Sequence, residues 1–370
     1  NTAIGYLASN ATTTGAGNTV VGSYAFDVNT TGGYNTAMGH NALGANTSAA
    51  SNSAFGNSAL LTNTTGTLNV AVGANALDAN TDASNNTAVG SSALSTTQTG
   101  AQNTAVGTYA LQNALEDNNT AVGYAAMQGC TTGEYNVAVG HAALDATLTG
   151  DFNVAVGVSA LSVATSGHSN TGVGYSAARD VTTGTLNTAL GAYAGIQLTT
   201  CVSNVLVGNN AGYALTTGGY NVAVGHNALY TAATSSNQIA IGYGALQLAN
   251  NTSNSNVAIG HTTGDAITDA IGNVLCGYAA GSAITTGGYN VHIGFNAGTQ
   301  GSYITTGSTN VYIGNGAGGS ANDVSNEMVI ASSANIAGKG ASTGFINANT
   351  GGNYAGNNSA DWSTTSDRRI

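Results

Sequence analysis

The chain has 370 residues, with no proline, 54 glycines, and only 15 acidic and four basic side chains for a net charge of −11. A globular enzyme carries charge on about a quarter of its residues, so most enzyme classes are poor readings of this composition, and neither catalysis nor a cofactor is expected. Low charge with an apolar fraction of 42% also argues against disorder, and a bias this uniform points to one architecture repeated.

Arg179, Lys339, Arg368 and Arg369 are the whole basic complement. They cannot line a phosphate backbone, so nucleic acid is excluded as a direct partner, as is an anionic membrane. No apolar run approaches the ~18 residues of a membrane span, so no membrane insertion is expected, and no signal-peptide pattern is present. A start at Asn1 instead of Met reads as a segment of something longer. Cys130, Cys201 and Cys276 fit no metal or redox spacing and read as small buried hydrophobes or inert thiols.

The string Asn-Thr/Val-Ala-Val-Gly opens nineteen units, beginning at Asn1 and including Asn69, Asn136 and Asn221 before the last at Asn310. Fifteen of the eighteen intervals are 17 residues; the others are 16 (Asn103 to Asn119), 18 (Gln238 to Asn256) and 20 (Asn290 to Asn310). Helical repeats and propeller blades need longer units, and the unit is too rich in Gly and Thr to hold a helix. It predicts an all-β fold, a parallel β-roll or β-solenoid of 17-residue coils. Each coil is expected to carry a short strand over Thr-Ala-Val, a turn at Gly, a second short strand around Ala-Leu and a return turn at Thr-Thr-Gly. Residues 1–318 form this shaft; residues 319–370 read as a non-repetitive C-terminal connector.

Stacking assigns a role to each place in the unit. Asparagine at place one, with Gln238 as the exception, suits an amide ladder between coils, and also suits a turn former. Glycine at place five (Gly5, Gly73, Gly140, Gly225) predicts a positive φ or a close approach of backbones. Place eight is Ala in all units but one, where it is Thr263, so the site is crowded. Place three enlarges to Leu206, Leu275, His292 and Tyr312, and in those units place nine is Gly212, Gly281, Gly298 and Gly318. Places three and nine therefore face each other across the coil, although Gly195 and Gly264 accompany alanines. Place four points away from place three, making an apolar stripe on the outside whose burial calls for self-association.

The motif Asn136-Val137-Ala138-Val139-Gly140 followed by His141-Ala142-Ala143-Leu144 resembles the head repeats of trimeric autotransporter adhesins. That resemblance implies a left-handed parallel β-roll and a parallel homotrimeric fibre. The last stretch, Trp362-Ser363-Thr364-Thr365-Ser366-Asp367-Arg368-Arg369-Ile370, is similar to the entry to the intramolecular chaperone of phage tail fibres and tailspikes, the peptidase S74 family. In that family a Ser and the Lys five residues on form a self-cleaving dyad. Ser366, Asp367 and Arg369 match, the Lys would be the next residue, and Ser366 alone is an inactive remnant with no catalytic residue beside it.

Six scattered histidines do not converge, so no metal site is expected. Tyr34, Tyr135, Tyr220 and Tyr289, with Phe152, precede the opening asparagine and suit either glycan stacking or the edge of a trimer interface. The expected function is a structural tail-fibre shaft for host attachment at the virion's extracellular surface, with a host cell-surface glycan or receptor as partner. A bacterial adhesin head or extracellular filament is the alternative; ice binding through the Thr-Thr-Gly turns is more remote, because Ala, Asp and Asn interrupt the row.

Overall fold

The computed structural model describes residues 1–250, 255–300, 302–331, 336–347, 352–355 and 363–364. The chain falls into two compact units, Asn1–Thr185 and Leu186–Ile370. In each, the fold is an all-β parallel solenoid. The first unit holds eleven strands of three residues, from Thr2–Ile4 to Thr171–Val173. The second repeats the pattern from Thr188–Leu190 to Val311–Ile313.

Each strand pairs in parallel with the equivalent strand of the next coil, place for place, as in Val137 with Val154 and Ala138 with Ala155. The three irregular intervals leave this register intact: Thr104 pairs with Thr120, Ile239 with Val257 and Val291 with Val311. Extra or missing residues are absorbed elsewhere in the coil. In the short coil, Asp117 supplies its carboxylate to the Ala101 N–H at 2.7 Å, a structural use that completes an irregular loop.

Place one explains the constancy of the register. The Oδ1 of Asn136 accepts the Asn153 N–H at 2.8 Å, and its Nδ2 donates to Asn119 Oδ1 at 3.3 Å and to the Gly150 carbonyl at 3.0 Å. Its own N–H donates to Asn119 Oδ1 at 3.0 Å. The same links cross the 16-residue and 20-residue intervals at 2.9 Å, from Asn119 to Asn103 and from Asn310 to Asn290. Gln238 keeps the amide, but its longer arm accepts from Asn256 at 3.3 Å. None of these asparagines has a positive φ, so the ladder, and not a left-handed turn, accounts for place one. A second ladder runs at place twelve, where Asn46 donates to Asn29 at 2.9 Å and Asn80 to Asn63 at 2.7 Å.

Glycine at place five meets both expected demands. Gly5 has φ +136, and a methyl built on it would stand 2.5 Å from the Gly22 carbonyl oxygen. Place eight is sealed, and Thr263 satisfies its extra hydroxyl by donating to the Gly277 carbonyl at 2.6 Å.

Among the described residues the expected second strand around Ala-Leu forms only in the unit that opens at Asn310, where Ala317–Gly318 pairs in parallel with Ile336–Ala337; in the earlier coils turns replace it. Places six to eleven form a continuous run of turns in which non-glycine residues at places seven and nine have positive φ, such as Asn41 (57°) and Leu43 (51°). The backbone still bonds between coils, but in alternating directions: Asn41 N–H reaches back to the Ser23 carbonyl at 3.1 Å and Leu43 N–H forward to Ala59 at 3.0 Å. The left-handed backbone costs about 1–2 kcal/mol per such residue. These inter-coil bonds, with Leu43 sealed inside, hold it in place.

The interior shares one volume among places three, nine and twelve. A methyl on Gly212 would lie 2.8 Å from Leu206, and one on Gly281 2.8 Å from Leu275. Gly298 likewise gives way to the His292 ring. The fourth pairing shifts: a methyl on Gly318 would meet the Gln300 carbonyl, whereas Gly319 is the glycine beside the Tyr312 hydroxyl. The two apparent exceptions resolve, because Gly195 and Gly264 clear space for Leu206 and Leu275 of the following coil, at 2.7 Å each.

The stacking also continues beyond Gly318. Glu327, 17 residues after Asn310, takes place one and donates its N–H to Asn310 Oδ1 at 2.9 Å. Met328–Ala331 then pairs with Val311–Ile313, and Gly344–Asn347 pairs in parallel with Met328–Ala331. Gly352–Ala355 adds an antiparallel strand.

Removing a ladder amide leaves a buried N–H without its acceptor, so Asn136→Ala is expected to destabilise the protein by about 1–3 kcal/mol. Asn57→Ala, at an exposed place six, is expected to change it by less than about 0.5 kcal/mol. Urea denaturation midpoints measure both; equal effects would remove the ladder as the cause.

Candidate functional site

The outward side chains form rows one coil apart, and these rows make up the surface of the coils. Place four supplies the apolar row: Met38, Phe55 and Val72 in the first unit, Ile259, Cys276 and Ile293 in the second. Val70, Val205 and Val274 at place two add to the same exposed edge of the ladder. The strands bury only their middle residue, so both flanking side chains face out.

Aromatic residues make a second kind of row. At place six, Tyr124 and His141 stack in the first unit, with ring centroids 5.3 Å apart and planes 14° from parallel. In the second unit five successive coils contribute His226, Tyr243, His261, Tyr278 and Phe295. Their centroids are 5.3, 4.9, 5.2 and 5.1 Å apart, and no adjacent pair departs from parallel by more than 15°. Tyr243 and Tyr278 each keep 49% of their surface exposed and Phe295 keeps 53%. His226 and His261 are two coils apart, and Tyr243, Tyr278 and Phe295 fill the coils between and beyond them at the same place in the repeat.

The tyrosines at place seventeen are all exposed, from 50% at Tyr135 to 76% at Tyr34, but they do not form a line. Tyr135 stacks with Phe152 at 5.2 Å. Tyr34 and Tyr289 lie over Gly17 and Gly272 of the preceding coil. Tyr220 stands between coils that carry Ser203 and Asn237 at this place.

Threonine at place thirteen is uninterrupted from Thr13 through Thr30, Thr47 and Thr64 to Thr81. These hydroxyls turn inward to the main chain, Thr13 donating to the Thr30 carbonyl at 2.9 Å and Thr64 to Thr81 at 2.9 Å. Their protons are committed to holding adjacent coils together.

Asp78, Asp145 and Asp265 occupy place ten of separate coils, and partial burial raises each carboxyl above the usual range. Among the described residues no three His, Cys, Asp or Glu side chains converge. Burial pushes the Cys130 thiol up to about 11 and the Cys201 thiol up to about 12, whereas Cys276 is exposed. Ser366, Asp367 and Arg369 lie outside the described residues. No known protein family, curated protein or solved structure matches the chain.

A hydrophilic maleimide is therefore expected to leave Cys130 and Cys201 unlabelled in the folded protein and to label all three cysteines after denaturation, as counted by mass spectrometry. Labelling of Cys130 or Cys201 under native conditions would contradict the sealed interior.

Proposed function

We propose that the chain is a structural fibre protein, a tail-fibre shaft for host attachment, that works as a parallel homotrimer. The observation that carries this reading is the place-four row, an apolar ridge repeated at every coil. Contiguous apolar surface of this kind marks an interaction face. Copies related by rotation about an axis along the stacking direction bring like rows together at the same height, and such cyclic association closes. The number three rests on the resemblance to trimeric adhesin heads. The same physics serves a bacterial adhesin head or extracellular filament; a Lys directly after Ile370, followed by a chaperone domain in the full gene, favours the tail fibre.

Cys276 stands in that ridge. Parallel, in-register copies place their Cys276 thiols at one height around the axis, so a short thiol-to-thiol crosslinker is expected to give covalent dimers that Cys276→Ser abolishes. Sedimentation equilibrium of the untreated protein is expected to give three chains per particle. A single-chain mass would overturn the trimer, as would crosslinks that persist without Cys276.

Attachment is assigned to the aromatic row at His226, Tyr243, His261, Tyr278 and Phe295. Exposed ring faces, four of them with a polar edge, suit sugar rings, and a chain of net charge −11 disfavours anionic glycans. Retention on a column of immobilised neutral polysaccharide is expected, with at least a tenfold loss for Tyr243→Ala combined with Tyr278→Ala. Equal retention of that variant would dismiss the row as the contact.

A further inference from the structure

Place three of the second unit carries Leu275, His292 and Tyr312 in three successive coils, paired in register inside the solenoid. His292 is fully buried, and neither ring nitrogen has a hydrogen-bond partner among the described residues. A neutral imidazole offers one donor and one acceptor, so two polar functions are left unsatisfied in a sealed interior. Its ring centroid lies 4.8 Å from that of Tyr312. The Tyr312 hydroxyl donates to Glu327 Oε2 at 3.0 Å. The buried Glu327 carboxylate also accepts the N–H of Ser320 at 3.1 Å and of Gly340 at 2.7 Å. One buried column thus joins the coil of His292 to the last coils of the solenoid.

Packing does not require histidine there. The same position is filled by Leu206 opposite Gly212 and by Leu275 opposite Gly281, and His292 faces Gly298 in the same way. What the imidazole has and leucine lacks is a titrating nitrogen. The other five histidines of the chain are exposed.

We propose that the coils between Asn290 and Ala331 are an acid-triggered release element, opening on acidification while the coils of Asn1–Thr185 stay closed. Burial holds the His292 pKa down at about 3, whereas an imidazole in an opened chain titrates near 6.5. Below about pH 6.5 the open form binds a proton that the closed form refuses. Stability supplied by the closed form is therefore complete above that pH and is lost progressively as pH falls toward about 3. The titratable groups on the column are Tyr312 and Glu327. Burial, and then the Glu327 carboxylate, push the Tyr312 hydroxyl upward, so it stays neutral. On the other side Leu275 offers no charge, and Cys276 points outward. Asp265, at place ten of an earlier coil, faces His261. Its carboxyl is raised by burial, so acid protonation there favours the closed form and cannot mimic the effect.

The test is amide hydrogen exchange of the full chain, read by mass spectrometry and corrected for intrinsic exchange rates. Between about pH 7.5 and about pH 5 the opening equilibrium of residues 290–331 is expected to rise about 30-fold, with no such rise in residues 103–139. His292→Leu, which recreates the Leu206 and Gly212 pairing, is expected to abolish the difference. Unchanged protection of 290–331, or acid sensitivity that survives in His292→Leu, would overturn the proposal. If that variant does not fold, the wild-type His292 imidazole signal decides: in the closed form it is expected to stay neutral down to about pH 5. A closed-form His292 signal already protonated at about pH 6 would equally defeat it.

Discussion

Every layer of this solenoid has to accept a copy of itself, and the group that enforces this is the buried amide at place one. Asn136 shows why an amide is needed: a single Oδ1 accepts from the backbone N–H of Asn153 while Nδ2 donates to the layer before and to the Gly150 carbonyl of its own coil. A carboxylate lacks the donor, and an aliphatic side chain would leave the next coil's N–H unsatisfied in a sealed interior. Because the amide pins one end of each strand, the coil can be 16, 18 or 20 residues long without losing register. Glu327 breaks the chemistry only at the end of the run, where its carboxylate finds three donors.

The composition follows from the same constraint. A charge repeated at ~4.8 Å would meet its own kind in every layer, at about 1 kcal/mol per neighbouring pair even in water. Proline would delete a donor that each coil sends to a neighbour. Glycine at place five is imposed by the carbonyl of the next glycine. Interior volume is conserved over neighbouring layers as well as within one, which is why Gly195 and Gly264 answer to leucines in the following coils.

The repeat made the strand at places two to four, the sealed place eight and the outward place four legible from residues alone, because period and side-chain size encode them directly. The run over places six to eleven was not legible. Leu43 and its equivalents take a left-handed backbone that their residue type disfavours, and only the carbonyls of adjacent coils make it hold. The coil after Gly318 escaped notice because Glu327 replaces Asn and Ala331 replaces Gly, although the 17-residue spacing and the apolar Val329 and Ile330 persist. The second asparagine ladder, at Asn29, Asn46, Asn63 and Asn80, carried a readable signal in its spacing. Of the surface rows, place six shows in the sequence as a site shared by histidine and tyrosine, but parallel stacking of five rings follows only from the coil geometry that sets them about 5 Å apart.

The outward rows and the interior column both depend on coils staying in register. The most direct measurement of that register is the NMR scalar coupling transmitted through hydrogen bonds, from each place-one backbone nitrogen to the side-chain carbonyl carbon of its acceptor. The account predicts couplings that join asparagines one coil apart, including Asn153 to Asn136 and, across the long coil, Asn310 to Asn290. Couplings confined within single coils, or lost at the irregular intervals, would contradict it.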